Sequence, residues 1–179
     1  MPDDDLGELA RALRQGAGHE MRAEAEENES LTEVQRRRRH GLADIARAAM
    51  HRGDRLTLTV AGLHLAHPVV SVGADYLVME SGDEVVDVRL DAAVITVEPR
   101  TAGGRSSHPE SATFRARLAE HEYLADVTEV VTVGGRRVAG RIEVTATDHV
   151  VVTDGTGVAT FVPITAVAVV VSRRPPMRS

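Results

Sequence analysis

Hydrophobic positions recur at helical spacing in the first third of the chain and at strand spacing after Gly53. Residues 6–14 carry leucines at i, i+3 and i+7, which predicts a short amphipathic helix. Residues 30–33 read Ser-Leu-Thr-Glu, a capping box, and apolar residues continue at helical spacing to about His51. We therefore predict a second helix that is interrupted at Gly41.

Five short strands are predicted between residues 54 and 99. Leu56, Leu58 and Val60 alternate with polar neighbours, which indicates a half-buried strand. Further apolar runs, separated by Gly, Asp and Ser, predict strands at 63–72, 76–80, 85–90 and 93–97. Five strands in so short a segment are typical of a small barrel.

Residues 100–112 contain paired Gly, Ser and Pro without periodicity, and they predict a linker. After this linker, Phe114, Leu118 and Leu124 predict a helix of about three turns. Strand-rich sequence begins again at Val127. A helix followed by short strands is therefore predicted twice.

The two strand-rich segments are similar in sequence. Residues 60–88 align with 133–161 without a gap, and 90–97 align with 164–171 after one inserted residue. The alignment pairs Gly62 with Gly135, Ala66 with Ala139, Asp75 with Asp148, Val78 with Val151, Gly82 with Gly155, Val85 with Val158, and Val97 with Val171. Because turn glycines and strand-opening Asp residues recur together, we predict two copies of one unit.

The composition favours a sheet protein in a reducing compartment. Apolar residues are mainly Val, Ala and Leu, with two Phe, two Tyr and no Trp or Cys. β-Branched aliphatic residues favour sheets, and the lack of Cys excludes disulfides and thiol chemistry. No apolar run is long enough to span a bilayer, and residues 1–5 do not resemble a leader. We expect a cytoplasmic protein without a membrane partner.

The net charge of −6 is unevenly distributed. Residues 1–53 hold 9 Arg and 11 acidic residues, residues 54–99 hold 2 and 8, and residues 100–179 hold 10 and 8. A polyanion such as RNA would be repelled by the middle segment and tolerated by the last. If RNA binds, the two repeats cannot contribute equally. Every basic residue is Arg, which indicates a GC-rich coding bias such as that of actinobacteria.

A turn glycine, a bent second strand, a third strand and a closing Val-rich strand occur in both copies. In the second copy these features are carried by Gly135, Arg136, Val138, Gly140, Ile142, Asp148, Val150, Val152, Val162, Pro163, Ile164, Val167 and Val169. In the first copy they are carried by Gly62, Leu65, Val69, Asp75, Leu77, Met79, Leu90 and Val94. This pattern resembles the Sm-like family and its SH3-like relatives, and the overall organisation is similar to actinobacterial two-barrel proteins with a helical N-terminus.

The resemblance implies a mainly β fold with N-terminal helices, in which two tandem five-stranded small barrels are each preceded by a helix. We expect a helical N-terminal segment over 1–41, a first barrel with its leading helix over 42–99 and a linker over 100–112. A second barrel with its leading helix is expected over 113–172, followed by a basic tail over 173–179.

No residue pattern indicates an enzyme. His64 and His67 lie three apart on a predicted strand, so their side chains would point to opposite faces and could not share a metal there. Asp75 and Asp148 recur at strand starts, where Asp is more often a turn residue that bonds nearby backbone N–H groups. We expect no catalytic residue, cofactor, metal or small-molecule substrate.

Exposed arginines provide the candidate RNA contacts, because guanidinium groups suit phosphate. They are Arg36, Arg37, Arg38, Arg39, Arg136, Arg137, Arg141, Arg173 and Arg174. RNA-binding Sm-like proteins read bases with an Asp-x-apolar-x-Asn series and a basic loop before the last strand. The third strands here begin at Asp75 and Asp148 and contain no Asn, and neither loop is basic. RNA binding is therefore the second of two hypotheses.

The first hypothesis is a scaffold or protein-interaction module. The resemblance implies that the fourth strand of one unit joins the fifth strand of the next to form rings. The last strands of both copies have long apolar edges, which can pair within the chain, between chains or with another protein. The residues are Val94, Ile95 and Val97 in the first copy and Val167, Val169 and Val171 in the second. We expect a homo-oligomer or a protein partner.

Overall fold

The computed structural model describes residues 40–100, 103–104 and 111–173. The predicted helix at 6–14, most of the predicted helix from residue 30 and nearly all of the basic tail lie outside these residues. The described residues from Leu42 onward belong to one compact unit. Both repeats lie in that unit. Residues 1–39 lie outside the described residues, so the expectations for them stay predictions.

The first repeat starts with helix α1 (Leu42–Arg52) and continues with six strands. These are β1 (Arg55–Val60), β2 (Leu63–Leu65), β3 (Val69–Val72), β4 (Tyr76–Ser81), β5 (Glu84–Arg89) and β6 (Val94–Glu98). The alternation on β1 is confirmed, since its apolar residues are buried. The predicted strand at 63–72 is divided into β2 and β3, and Pro68 lies in the break because proline cannot donate to a sheet ladder.

The second repeat has the same order of elements. Helix α2 (Phe114–Leu124) confirms the predicted helix, and five strands follow. These are β7 (Val127–Thr132), β8 (Arg137–Thr145), β9 (His149–Thr153), β10 (Ala159–Pro163) and β11 (Val167–Arg173). In both repeats a short 3-10 turn precedes the last strand, at Leu90–Ala92 and Ile164–Ala166.

The strands form two antiparallel sheets, and this corrects the expectation of two closed barrels. One sheet has the order β2-β1-β6, and the other has the order β10-β9-β8-β7-β11-β5-β4-β3. Neither sheet closes on itself through the described strands. The repeats are joined because β5 of the first pairs with β11 of the second. The prediction of a mainly β chain is confirmed, but the repeats share a sheet and are not separate cylinders.

Two aliphatic clusters lie on opposite faces of the larger sheet. On one face, α1 and the smaller sheet cover residues such as Leu77, Met79 and Val88. On the other face, α2 covers Tyr76 together with Val150 of the second repeat and their neighbours. Each helix therefore closes one cluster, and burial of these apolar side chains is the main stabilising contribution.

Strand pairing shows where the repeats differ in length. Val78 faces Asp87 across β4 and β5, whereas its equivalent Val151 faces Phe161 across β9 and β10. Phe161 is therefore the structural equivalent of Asp87. The gap-free alignment, which pairs Phe161 with Val88, is off by one here because the extra residue lies in the turn before β10.

A second shift occurs at the end of the repeat. Each helix is followed by its first strand after two residues, so Leu58 on β1 is equivalent to Val130 on β7. Leu58 pairs with Ile95 on β6, and Val130 pairs with Val170 on β11. Ile95 is therefore equivalent to Val170. The alignment of the last strand is off by one residue, since β11 contains a bulge near its start that β6 lacks.

Candidate assembly edges

The pairing of β5 with β11 is the joint between the repeats. Its register places Val88 opposite Val169 and Asp87 opposite Val170. At its end, Arg173 Nη2 lies 3.3 Å from Glu84 Oε1, an exposed ion pair. Backbone groups supply the hydrogen bonds of a strand ladder, so these bonds do not select one partner strand. The specificity of the joint comes from the side chains around it.

A buried polar cluster lies at the centre of this joint. Asp87 has no exposed surface, and its carboxylate accepts from Arg117 Nε at 3.0 Å and contacts His121 Nε2 at 2.5 Å. Arg117 also binds Glu120 at 2.8 Å. A carboxylate can only accept a hydrogen bond, so His121 Nε2 donates to Asp87, while His121 Nδ1 is buried without a hydrogen-bond partner in the described part of the chain.

The electrostatics of Arg117 follow from its partners. Burial alone would lower the pKa of Arg117, but the Asp87 and Glu120 carboxylates outweigh burial and raise the pKa above its ordinary value. The guanidinium is therefore a permanent cation between two carboxylates. A charged group buried in this way stabilises the fold only while its partners are present.

Asp75 and Tyr76 hold the start of α2 against the first repeat. Asp75 Oδ1 accepts from the backbone N–H of Phe114 at 2.7 Å, and Tyr76 donates its hydroxyl to the carbonyl of Ser111 at 2.7 Å. The turn role of Asp75 is thus wider than the sequence indicated, because its N–H donor lies in a distant helix. Burial raises the pKa of Tyr76 to about 12, so its hydroxyl remains a donor at neutral pH.

Helix α2 also binds the second repeat. Arg115 donates to the carbonyl of Ala146 at 3.3 Å, and Glu122 accepts from the N–H of Thr145 at 2.7 Å. Together with the cluster at Asp87, these contacts make α2 a bridge across the joint. The chain therefore strengthens the β5–β11 pairing with a helix that carries matching polar groups.

Two strands that are equivalent to the joined ones remain at sheet edges. β10 is equivalent to β5, and β6 is equivalent to β11, yet in the described part of the chain neither has a strand on its outer side. Both edges bear exposed apolar side chains: Val94 is 68% exposed and Phe161 is 67% exposed. Unpaired, apolar edges of this kind are sites of strand addition.

The predicted edge residues lie in two different environments. Val167 and Val169 are fully buried and Val171 is partly buried, because β11 already pairs with β5 and β7. Of the three pairings left open for these residues, the one within the chain is the one present here. Val94, Ile95 and Val97 lie on β6, where the outer side of the strand is unpaired among the described residues.

The predicted RNA contacts are scattered. Arg136 and Arg141 are exposed, whereas Arg137 pairs with Glu129 at 3.1 Å and Arg173 pairs with Glu84. Arg136, Arg137 and Arg141 lie on or next to β8, so they form one group. The remaining candidates lie outside the described residues: Arg36, Arg37, Arg38, Arg39 and Arg174.

Other polar groups do not converge on one point. His64 is exposed and sits next to Thr59, while His67 lines a groove of about 450 Å³ beside the end of α1. Asp148 is exposed and binds the neighbouring His149, a hydrogen bond that lowers the pKa of this carboxyl. Across 40–100, 103–104 and 111–173, no three His, Cys, Asp or Glu side chains are arranged to hold a metal.

The buried cluster was not predicted from the sequence. Asp87 lies between valines on a strand, a pattern that usually places a polar residue at the surface. Its partners Arg117 and His121 belong to a helix in the other repeat. One signal was present: they lie four apart, so both point to the same face of α2.

Comparisons with known proteins assign no family. No model of a protein family matches the sequence, and no curated protein matches it. Among the residues that the structure describes, no helix has the length and apolar character needed to cross a membrane.

Proposed function

We propose that this chain is a non-catalytic scaffold of Sm-like type, whose copies join head to tail through strand edges. On this proposal each repeat is an open relative of the Sm-like barrel, with its last strand beside its first. A contact of β10 in one copy with β6 in the next would repeat the contact that β5 makes with β11 inside the chain.

The β5–β11 joint is the observation that carries the proposal. The chain already contains one such joint, in which β5, the next-to-last strand of the first repeat, pairs with β11, the last strand of the second. The equivalent strands, β10 and β6, lack a strand partner on their outer sides within the described residues. A head-to-tail contact satisfies both edges at once, and it generates rings or open chains according to the rotation between copies.

The first test is molar mass in solution. We expect light scattering to give a mass above that of one chain, rising with concentration through the micromolar range. Val94→Lys should lower that mass, because a lysine at a strand edge opposes pairing with another strand. Val127→Lys is a matched control, since Val127 is similarly exposed but lies on neither of the two edges.

A wild-type chain that stays monomeric at every concentration contradicts this proposal. If the wild-type chain is monomeric alone but binds a different protein through the same edges, the partner of these edges is that protein and not a second copy. Lower mass in the Val127→Lys variant as well would indicate a general effect of charge and not of the edges.

RNA binding is the alternative, and the grouping of arginines on β8 favours it. Arg137 and Arg141 lie four residues apart on one strand, so their side chains share a face, and Arg136 precedes them. Such a group can contact successive phosphates. Only two large aromatic side chains, Tyr123 and Phe161, are exposed in the described residues, and base stacking would depend on them.

The RNA alternative predicts a steep salt dependence. Affinity for a single-stranded RNA should fall as salt rises, and replacing Arg136, Arg137 and Arg141 by Ala should flatten that dependence. Arg55→Ala serves as a control, because Arg55 is exposed on β1 of the first repeat and lies outside the group on β8. No binding at low salt, or an unchanged salt slope in the triple variant, would exclude this role.

A further inference from the structure

The internal joint specifies the side chains that meet in a joint between copies. Helices α1 and α2 each have 11 residues, and each is connected to its following strand by two residues. Arg117 and His121 of α2 therefore correspond to Ile45 and Ala49 of α1. On the opposite strand, Phe161 corresponds to Asp87, as the pairing of β9 with β10 establishes.

The register of the new ladder follows from the same equivalences. Asp87 faces Val170 in the internal joint, so Phe161 of one copy would face Ile95 of the next. One residue further, Thr160 would face Thr96. Exposed Val94 comes opposite Val162 in this register, and exposed Val158 comes opposite Glu98. The ladder thus covers exposed Val94 with a second valine.

In the internal joint the strand carries the small side chain and the helix the large ones, and in the joint between copies this arrangement is reversed. Inside the chain a small acid, Asp87, meets two large basic side chains of α2. Between copies a large apolar ring, Phe161, would meet Ile45, whereas Ala49, the smaller equivalent of His121, is already buried within its own chain. Phe161 and Ile45 are 67% and 39% exposed. Their contact would remove two exposed apolar side chains from water.

The recurring aspartate provides a second, independent match. Asp75 accepts from the N–H of Phe114, the first residue of α2. Its equivalent Asp148 is exposed on the repeat that carries β10, and the equivalent of Phe114 is Leu42, the first residue of α1. In a head-to-tail contact, Asp148 of one copy would reach the N-terminus of α1 in the next, where a carboxylate is favoured by the helix dipole.

We infer that Phe161 of one copy packs beneath helix α1 of a second copy, against Ile45, in the position that Asp87 occupies inside the chain. This inference rests on the proposed function and adds the contact that gives it specificity. The contact beneath the helix is polar in the internal joint and apolar in the joint between copies. An exchange of partners between the two joints would leave Asp87 buried without a cationic partner, which disfavours incorrect pairing.

Two single variants test the contact. Phe161→Asp and Ile45→Asp should each abolish self-association, measured by light scattering, while circular dichroism and the melting temperature stay close to those of the parent. Tyr123→Asp is the matched control, because Tyr123 is 88% exposed on the far end of α2. It should leave the mass unchanged.

Mixing the two single variants tests the direction of the contact. Each variant retains one working surface, so an equimolar mixture should give a dimer of one chain of each and nothing larger. The two free ends of that dimer each carry an introduced carboxylate, and these carboxylates repel each other. In a single chain, the double variant Phe161→Asp with Ile45→Arg should regain association that weakens with salt, because it copies the Asp87–Arg117 pair.

The outcomes separate the two levels of the proposal. If the wild-type chain does not associate, the proposed function fails and this inference with it. If the wild-type chain associates but both single variants associate equally well, only the inference is overturned. If the mixture stays monomeric while each variant is folded, the contact is not head to tail and the inference is also overturned.

Discussion

Replacing Asp87 with Asn tests whether the buried cluster holds the two repeats together. The substitution keeps the size of the side chain but removes its charge. Asp87 now accepts from Arg117 Nε and His121 Nε2. An amide has one acceptor oxygen, so at least one of the two donors faces an N–H group and loses its hydrogen bond.

The expected cost follows from the burial of the group. A hydrogen bond to a charged partner contributes about 1.5–3 kcal/mol, and the cost is near the upper end when the remaining donor is buried. Glu120 continues to neutralise Arg117, which limits the loss. We therefore expect Asp87→Asn to lower the free energy of unfolding by about 2–3 kcal/mol.

Urea unfolding followed by circular dichroism provides the measurement, with the midpoint lowered and the slope unchanged. Glu129→Gln is the control. It breaks an exposed ion pair with Arg137, which should cost less than about 1 kcal/mol. If Asp87→Asn costs no more than Glu129→Gln, the cluster does not hold the joint and the reasoning from its burial is refuted.

Two further changes test the packing of the sheet and the alkaline limit of stability. Gly140→Ala would place a methyl group 2.3 Å from the carbonyl oxygen of Thr153, so we expect it to cost about 1–3 kcal/mol in urea unfolding, whereas Gly155→Ala meets no described atom within 4 Å and should be neutral. Equal effects would contradict the close approach of β8 and β9. Burial raises the pKa of Tyr76 from 10.0 to about 12, so its stabilising contribution is complete below pH 10 and is lost as pH rises towards 12. Tyr76→Phe should therefore flatten the fall of unfolding midpoint over that pH interval, and an unchanged fall would contradict the assignment.

Much of the secondary structure could be predicted from the sequence. The alternation of Leu56, Leu58 and Val60 with polar residues identified β1, and the spacing of Phe114 and Leu118 identified α2. These predictions succeeded because burial on one face imposes a period of two on a strand and 3.6 on a helix. The duplication was also correct in order, with a helix and then strands in each copy.

The residue-by-residue alignment of the two repeats could not be predicted as securely. Val, Thr and Ala recur along the strands, so a shift by one residue changes the similarity of the copies little while it moves every side chain to the other face. The extra residues lie in a turn and a bulge, and only strand pairing reveals that Phe161 replaces Asp87.

The pairing that joins the two repeats also could not be predicted from the sequence. A strand ladder is made of backbone groups that every non-proline residue has, so the pairing of β5 with β11 leaves little trace in residue type. Val167 and Val169 look alike in sequence whether they pair within the chain or lie at a free edge. The long-range partners of Asp87 become evident only once α2 is placed across the sheet.

Disulfide cross-linking at one ladder position tests the central claim most directly, because the chain has no cysteine of its own. Directly opposed residues of antiparallel strands have Cα atoms about 4.5–5.5 Å apart, within the range of a disulfide. Val86 and Val171 are opposed in the internal joint, so Val86→Cys with Val171→Cys should cross-link within one chain and provides the positive control.

The matching pair between copies is Thr160→Cys with Thr96→Cys. Under mild oxidation, this variant should yield covalent dimers and larger species on a non-reducing gel, and reduction should return them to single chains. A variant that remains a single chain under conditions in which the internal control cross-links fully would contradict the head-to-tail joint of β10 with β6.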